Sequence, residues 1–217
     1  TIQSQNLEEH QTELKSISKD WDLEKGNKQG TFKLVPYRPI YITAGRWSSN
    51  PNILPQSENP DYSSTEAIDF NNFEAKFQLS CKTKVVQSLF GVADIWAGYT
   101  QKAHWQIYNT EISRAFRELN YEPELMLTVP MHIKLGGLDI KMAGVTFNHQ
   151  SNGRDLPRSR SWNRVIFNLA LESKNLQLYL SPWIRLNDED DENPEITSYI
   201  GNGRITAIYQ LKKHTFY

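Results

Sequence analysis

The stretch KMAGVTFNHQSNGRDLPRSRSWNRVIF, residues 141–167, contains two alternating runs on either side of a turn-rich segment. In the first run Ala143, Val145 and Phe147 share a parity, and strict alternation indicates a β-strand with one apolar face. The second run repeats the pattern with Val165 and Phe167. The stretch therefore predicts an antiparallel hairpin built from one-sided strands.

The same alternation recurs from residue 32 onward. It is clearest in residues 71–82, 123–135, 176–186 and 203–213. One-sided strands fit either a soluble β-sandwich or an outer-membrane β-barrel, whose apolar face contacts lipid and whose charged residues pair inside. Short connections such as KLGGLD alternate with long polar ones at 106–121 and 187–198, which favours the barrel. Tryptophans are expected near the strand ends, at Trp47, Trp96, Trp105, Trp162 and Trp183.

Size and charge exclude several classes of protein. A chain of 217 residues is enough for one domain, and its net charge of -1 gives no electrostatic reason to expect a nucleic-acid partner. The single cysteine, Cys81, rules out an intrachain disulfide. No apolar run approaches the roughly 18 residues of a membrane-spanning helix, and the first residues do not resemble a signal peptide.

The first 31 residues differ from the rest. Leu7, His10, Leu14, Ile17 and Trp21 lie at roughly helical spacing before the breaker GNKQG. The pattern predicts a polar leader over residues 1–31, either a short amphipathic helix or a loose segment. Residues 32–217 are then the β domain.

Three polar residues of the opening stretch share the parity of its apolar face. If His149 lies opposite Asn163, the turn centres on Leu156, as a hairpin requires. The Cα atoms of His149 and Ser151 are then about 6.7 Å apart on one face. Ser151 could act as nucleophile, His149 as general base and Asn163 as the orienting amide. On spacing alone an ordinary polar hairpin tip is the commoner explanation, but a lipid-facing position is costly for such groups.

The residues also match a known family. NHQSNGRDLPRSRSWNR resembles the active-site segment of bacterial outer membrane phospholipase A, and the similarity extends to GYTQKAHWQIYN, FRELNYEPELML, SPWIRLND and DDENPEITSYIG. The resemblance covers most of the chain from about Phe32. It implies a transmembrane antiparallel β-barrel of about twelve strands, about eight of them covered by this chain, in the bacterial outer membrane. It also implies hydrolysis of acyl esters of membrane phospholipids, with A1, A2 and lysophospholipase activity.

Catalytic roles follow from the resemblance residue by residue. Ser151 corresponds to the nucleophile, His149 to the base and Asn163 to the orienting amide, with the Gly153 amide at the oxyanion.

The family also requires Ca²⁺ and is active as a homodimer. The resemblance implies that the Arg154 carbonyl and the Ser159 side chain hold the ion, with Ser113 contributed by the other subunit, and that Gln101 lies at the dimer interface. For a secondary calcium site, the resemblance implies acidic side chains from two loops; Leu156 occupies one expected position, and Asp191 is a candidate for another.

The chain ends at HTFY, so C-terminal strands of the family barrel are expected to be missing. The alternative function is therefore a truncated or inactive barrel with a structural or porin-like role. A soluble β-sandwich that binds apolar ligands is a third interpretation.

Overall fold

The alternating segments form strands of a single antiparallel sheet. A computed structural model describes residues 16–212 and 214–217, so Leu7, His10 and Leu14 of the helical pattern lie outside the described part. The strands are β1 (Val35–Pro36), β2 (Tyr41–Trp47), β3 (Phe73–Leu89), β4 (Ala93–Trp105), β5 (Phe116–Leu135), β6 (Leu138–Ser151), β7 (Ser161–Glu172), β8 (Leu176–Leu186), β9 (Gly203–Leu211) and β10 (His214–Phe216).

The helices of the described residues are short. They are α1 (Ile17–Asp20), α2 (Ile196–Ile200) and the 3-10 turns Lys25–Asn27 and Pro60–Tyr62. Within the described ranges, no helix has the length and apolar character needed to cross a membrane.

The sheet runs in the order β1-β3-β4-β5-β6-β7-β8-β9-β10, with β2 also paired to β3, and it curls into a half-barrel. The antiparallel barrel-type fold is therefore confirmed. The described residues form ten strands where about eight were predicted, because short strands are added at the edges of the sheet. The sandwich interpretation is wrong, since all strands of the described residues belong to one sheet.

Connections alternate in length, as predicted. Residues 90–92, 136–137 and 173–175 form short turns, while residues 106–115, 152–160 and 187–202 form long loops at the opposite end. The predicted loop over 106–121 extends too far, because Phe116 already pairs with Trp105 of β4. Gly136 and Gly137 have φ values of 56° and 90°, the conformation that a two-residue hairpin turn requires.

Side chains alternate between the inside and the outside of the curl. On β6, Thr146 and Asn148 are buried inside, whereas Val145 and Phe147 are 42% and 49% exposed on the outside. Other strands present an equally apolar outside, with Leu79, Leu125, Phe167, Ile184 and Ile205 exposed. A polar inside and an apolar outside is the arrangement of an outer-membrane barrel.

The inside is filled by paired charges and aromatic side chains. Glu122 is fully buried and accepts hydrogen bonds from Arg38 and Lys102, each at 2.6 Å. The predicted pairing of charges inside the barrel is thus confirmed. Trp96 and Trp162 lie near the ends of β4 and β7, as predicted, and their side chains face the inside, at 3% and 4% exposure.

The described part of the leader also enters the inside of the curl. Ile17 and Trp21 are buried, and the Ile17 amide donates to Glu172 Oε2 at 2.6 Å. Asp22 lies 3.1 Å from the ammonium of Lys84. Residues 16–23 therefore pack within the half-barrel near its short-turn end, and only four of them are helical.

Candidate active site

The hairpin of β6 and β7 brings the predicted catalytic residues to the long-loop end of the outer face. His149 lies directly opposite Asn163, and Ser151 lies opposite Ser161, so the predicted register is confirmed. On its other side Ser151 pairs with Tyr121 of β5. His149, Ser151 and Asn163 are all partly exposed, at the upper end of the face that carries Phe147 and Phe167.

His149 and Asn163 are joined by a hydrogen bond. The distance from His149 Nδ1 to Asn163 Oδ1 is 2.8 Å. An amide oxygen can only accept, so the imidazole donates from Nδ1, and the Nε2 atom of the neutral ring carries a free lone pair. An imidazole held in this tautomer can take up a proton at Nε2.

Ser151 is adjacent to His149 on the same face. Among the described residues there is no hydrogen bond from Ser151 Oγ to the imidazole, although the two side chains are neighbours along β6. Hydrogen bonds between nucleophile and base are often long before substrate binds.

Asn152 organises the loop that follows Ser151. It is 4% exposed, and its Oδ1 atom accepts from the backbone amides of Arg154, at 3.3 Å, and Arg160, at 3.0 Å. Its Nδ2 atom donates to the Arg158 carbonyl at 2.9 Å. The Asn-Gly pair in the sequence is a turn signal from which this role could have been predicted.

Gly153 occupies a position that only glycine fits. Its φ is 62°, and a Cβ atom there would lie 2.9 Å from the ring of Tyr121. The backbone amide of Gly153 comes directly after Asn152 and two residues after Ser151. The small residue thus allows the loop backbone to pass close to the outer face at Ser151.

Two arginines fix the loop to its neighbours. Arg154 donates to the carbonyls of Phe116 and Arg117, at 2.7 and 2.8 Å. Arg160 donates to the Tyr62 carbonyl at 2.7 Å. Burial lowers the pKa of both guanidiniums, whose ordinary values are so far above neutrality that both stay charged. Sequence reasoning missed the role of Arg160, because the Tyr62 carbonyl that it binds is 98 positions away in sequence.

The predicted calcium ligands lie in two neighbouring loops. Ile112 and Ala115, in the loop that contains Ser113, line a groove of about 530 Å³ together with Gly153 and Arg154. Ser159 Oγ donates to Glu192 Oε1 at 3.0 Å, and Glu192 Oε2 is buried with no hydrogen-bond partner among the described residues. Hydroxyl, carbonyl and carboxylate oxygens suit a hard cation such as Ca²⁺. The donor set therefore fits the ion.

The positions considered for a secondary calcium site are less suited to a metal. Leu156 is exposed and has no donor atom in its side chain. Both carboxylate oxygens of Asp191 accept from Arg185, and one also accepts from the Asn193 amide at 2.8 Å. The described residues contain no cluster of three or more His, Cys, Asp or Glu side chains that could hold a metal.

Gln101 lies on the outer face of β4, between Leu79 of β3 and Tyr121 of β5. No hydrogen bond to its side-chain amide is present among the described residues. An amide without a partner on an apolar surface is costly in lipid.

Known proteins similar in sequence to this chain are named as phospholipases. The family model described as Phospholipase A1 matches residues 17–217. A putative phospholipase A1 from Neisseria meningitidis is 36% identical over 90% of this chain and 53% of its own length. Phospholipase A1 of Escherichia coli is 41% identical over 64% of this chain and 48% of its own length. The chain thus spans about half the length of these relatives.

Solved structures show the same fold. The outer membrane phospholipase dimer with bound calcium from Salmonella typhi superposes with a TM-score of 0.72 and 33% identity, over 85% of this chain and 70% of that one. Outer membrane phospholipase A from Escherichia coli gives 0.70 and 33%, over 83% and 72%. The chain belongs to the phospholipase A1 family of bacterial outer-membrane β-barrel proteins.

Proposed function

We propose that this protein is a calcium-dependent outer-membrane phospholipase A that hydrolyses acyl ester bonds of phospholipids through Ser151, His149 and Asn163. The observation that carries the proposal is the 2.8 Å hydrogen bond between His149 Nδ1 and Asn163 Oδ1 beside Ser151, at the polar end of an apolar outer face. A lipid ester at the membrane surface meets this end of the sheet. Such a position suits a lipid substrate better than a soluble one.

The first step forms an acyl-enzyme. Ser151 Oγ attacks the ester carbonyl carbon, and its proton moves to His149 Nε2. Asn163 keeps the imidazole in the required tautomer by accepting from Nδ1. When the tetrahedral intermediate collapses, the ester C–O bond breaks and the proton passes from Nε2 to the lysophospholipid alcohol. Water then repeats the sequence on the acyl-enzyme, which releases the fatty acid and restores the Ser151 hydroxyl.

The oxyanion requires positive charge or hydrogen-bond donors. The Gly153 amide is the donor we assign to it, since the loop backbone lies close to Ser151 and Tyr121 there. The Arg154 carbonyl and the Ser159 hydroxyl would hold Ca²⁺, together with Ser113 of the partner subunit. When bound, the ion supplies positive charge that stabilises the oxyanion.

We further propose that the active form is a homodimer with Gln101 at its interface. The amide has no partner on the outer face within the described chain, and a second copy would provide one.

A porin-like role has less support. The inside of the half-barrel is occupied by buried ion pairs such as Arg38 with Glu122 and by Trp21 of the N-terminal segment. A solute channel would need that space filled with water.

The test is release of fatty acid from detergent-dispersed phosphatidylcholine, followed in a pH-stat with Ca²⁺ or with a chelator. Ser151→Ala should abolish release. Ser161→Ala is the matched control, because Ser161 lies opposite Ser151 on the same face. Equal turnover of the Ser151 variant and wild type would refute the catalytic assignment, and full activity in chelator would refute the calcium requirement.

A further inference from the structure

Gln150 stands between His149 and Ser151 in β6, so its side chain points to the opposite face, into the barrel. There it bridges two strands. Trp162 Nε1 of β7 donates to Gln150 Oε1 at 3.2 Å, and Gln150 Nε2 donates to Asn120 Oδ1 of β5 at 3.3 Å.

Each end of this inner bridge is a chain neighbour of a residue on the outer face. Asn120 precedes Tyr121, which pairs with Ser151. Trp162 precedes Asn163, which pairs with His149. The bridge from Asn120 through Gln150 to Trp162 on the inner face therefore lies directly behind His149, Ser151 and Asn163 on the outer face. Both groups lie on β5, β6 and β7, at the same level along these strands.

The backbone pairing between β5 and β6 is interrupted beside His149 and Gln150. Strands β5 and β6 pair at Tyr121 with Ser151 and at Glu124 with Asn148, but have no pairs between these positions. Continuing the register places Pro123 opposite His149, and proline has no N–H to donate to the ladder. A side-chain bridge one residue away can hold the strands together where the backbone does not.

We propose that Gln150 is a positioning residue for the catalytic set, which consists of Ser151, His149 and Asn163. By tying β6 to β5 and β7 from inside, it holds the β6 backbone so that His149 Nδ1 stays within hydrogen-bond distance of Asn163 and the imidazole faces Ser151. Trp162 is buried, and all three bridge residues line the cavity of about 760 Å³ at the barrel mouth, where side-chain hydrogen bonds are less screened than in bulk water. This inference rests on the proposed function for its effect on rate.

The test compares Gln150→Leu with Gln78→Leu. Gln78 is a matched control: it is a buried glutamine on the inner face of β3 that donates to the Pro39 carbonyl at 2.7 Å, on a different strand from the catalytic set. For folded protein, selected by heat-modified gel mobility, Gln150→Leu should lower kcat about ten- to hundredfold with little change in KM, because misplacement of catalytic groups has effects of this size. Gln78→Leu should leave kcat within about twofold of wild type.

A double-mutant cycle tests the bridge itself. Trp162→Phe removes the indole donor and should lower kcat in the same way, and combining it with Gln150→Leu should add little further loss. Full additivity would overturn the bridge.

A readout independent of turnover separates this inference from the proposed function. In wild type and in Gln78→Leu, the His149 Nδ1 proton should give a protected downfield NMR signal, which Gln150→Leu should lose. Retention of that signal together with an unchanged kcat would overturn the inference. If Gln150→Leu loses the signal but the wild-type protein hydrolyses no lipid, the positioning role would be supported and the proposed function refuted.

Discussion

His149 and Asn163 lie directly opposite each other on β6 and β7, with 2.8 Å between Nδ1 and Oδ1. Because the acceptor is an amide rather than a carboxylate, it orients the imidazole without adding negative charge. The orienting effect can therefore be separated from the charge effect by substitution.

Replacement of Asn163 by alanine should lower kcat about ten- to hundredfold with KM nearly unchanged, since the Nδ1 proton loses its acceptor. Asn163→Asp keeps an acceptor and adds a charge that favours the protonated imidazole. A base must be neutral to act, so the ascending limb of the kcat–pH profile should move to higher pH in this variant. The dependence of kcat on pH, measured for both variants with dispersed phospholipid, tests these expectations. An ascending limb that does not move in Asn163→Asp would count against the hydrogen bond between His149 and residue 163.

Gly153 should tolerate no side chain. Gly153→Ala combines a φ of 62° with a Cβ atom 2.9 Å from the Tyr121 ring, so the loop must shift away from Ser151. We expect kcat to fall at least tenfold. Gly137→Ala is the control: its φ is 90° and its Cβ would meet open space in a short turn at the other end of the sheet. Both variants should lose at least about 1 kcal/mol of stability, but only the first should lose activity. Equal activity losses would contradict the local role of Gly153.

Much of this arrangement could be read from the sequence because strands have a period of two. Parity alone put Val145, Phe147 and His149 on one face, and the turn centred on Leu156 gave the His149–Asn163 register. The alternation is strong because one face meets lipid and the other a polar interior.

Features that depend on distant pairs could not be read in this way. Arg160 reaches the Tyr62 carbonyl across 98 positions of sequence, and Trp21 packs beneath strands that begin far along the chain. Trp162 was predicted near a strand end, where it lies, and its parity opposite to Asn163 places its side chain inside, as the structure has it. The composition of the leader gave no sign that its end is buried.

Tyr62 should titrate late. Its hydroxyl donates to Asp190 Oδ2 at 2.7 Å, and this hydrogen bond raises the pKa of the phenol to about 12. The folded pKa lies above the unfolded value, so the contact stabilises the protein fully below about pH 10 and is lost as the pH rises through about 12. The difference in 295 nm absorbance between wild type and Tyr62→Phe isolates this step. When the same titration is repeated in an Asp190→Asn background, the midpoint of the Tyr62 step should fall toward pH 10. An unchanged midpoint would exclude Asp190 as the cause of the raised pKa.

Gln101 should matter for association rather than folding. If its amide bonds across a dimer in lipid, Gln101→Ala should weaken dimerisation by about 0.6–1 kcal/mol, roughly three- to fivefold in the dissociation constant. Crosslinking in micelles with Ca²⁺ and a substrate analogue measures this. Gln87→Ala, an exposed glutamine near the short-turn end of β3, is the control and should leave crosslinking unchanged. If both variants crosslink like wild type, Gln101 is not at the interface.

The N-terminal segment should stabilise the half-barrel from inside. Trp21 is 7% exposed, packs edge-to-face on Tyr37 and Trp96 with centroids 5.8 and 5.7 Å away, and lies 3.0 Å from the ammonium of Lys82. Trp21→Ala removes a large buried side chain and should lower the free energy of unfolding by about 3–5 kcal/mol.

Urea unfolding in detergent, followed by far-UV circular dichroism, measures this loss. Trp47→Ala is the matched control, because Trp47 is 66% exposed at the end of β2 and should cost less than about 1 kcal/mol. The proposed catalytic residues His149, Ser151 and Asn163 lie at the long-loop end, away from Trp21, so activity per folded molecule should be unchanged in both variants. A stable Trp21→Ala variant would show that residues 16–23 merely occupy the interior, whereas a destabilised but active one would establish them as part of its core.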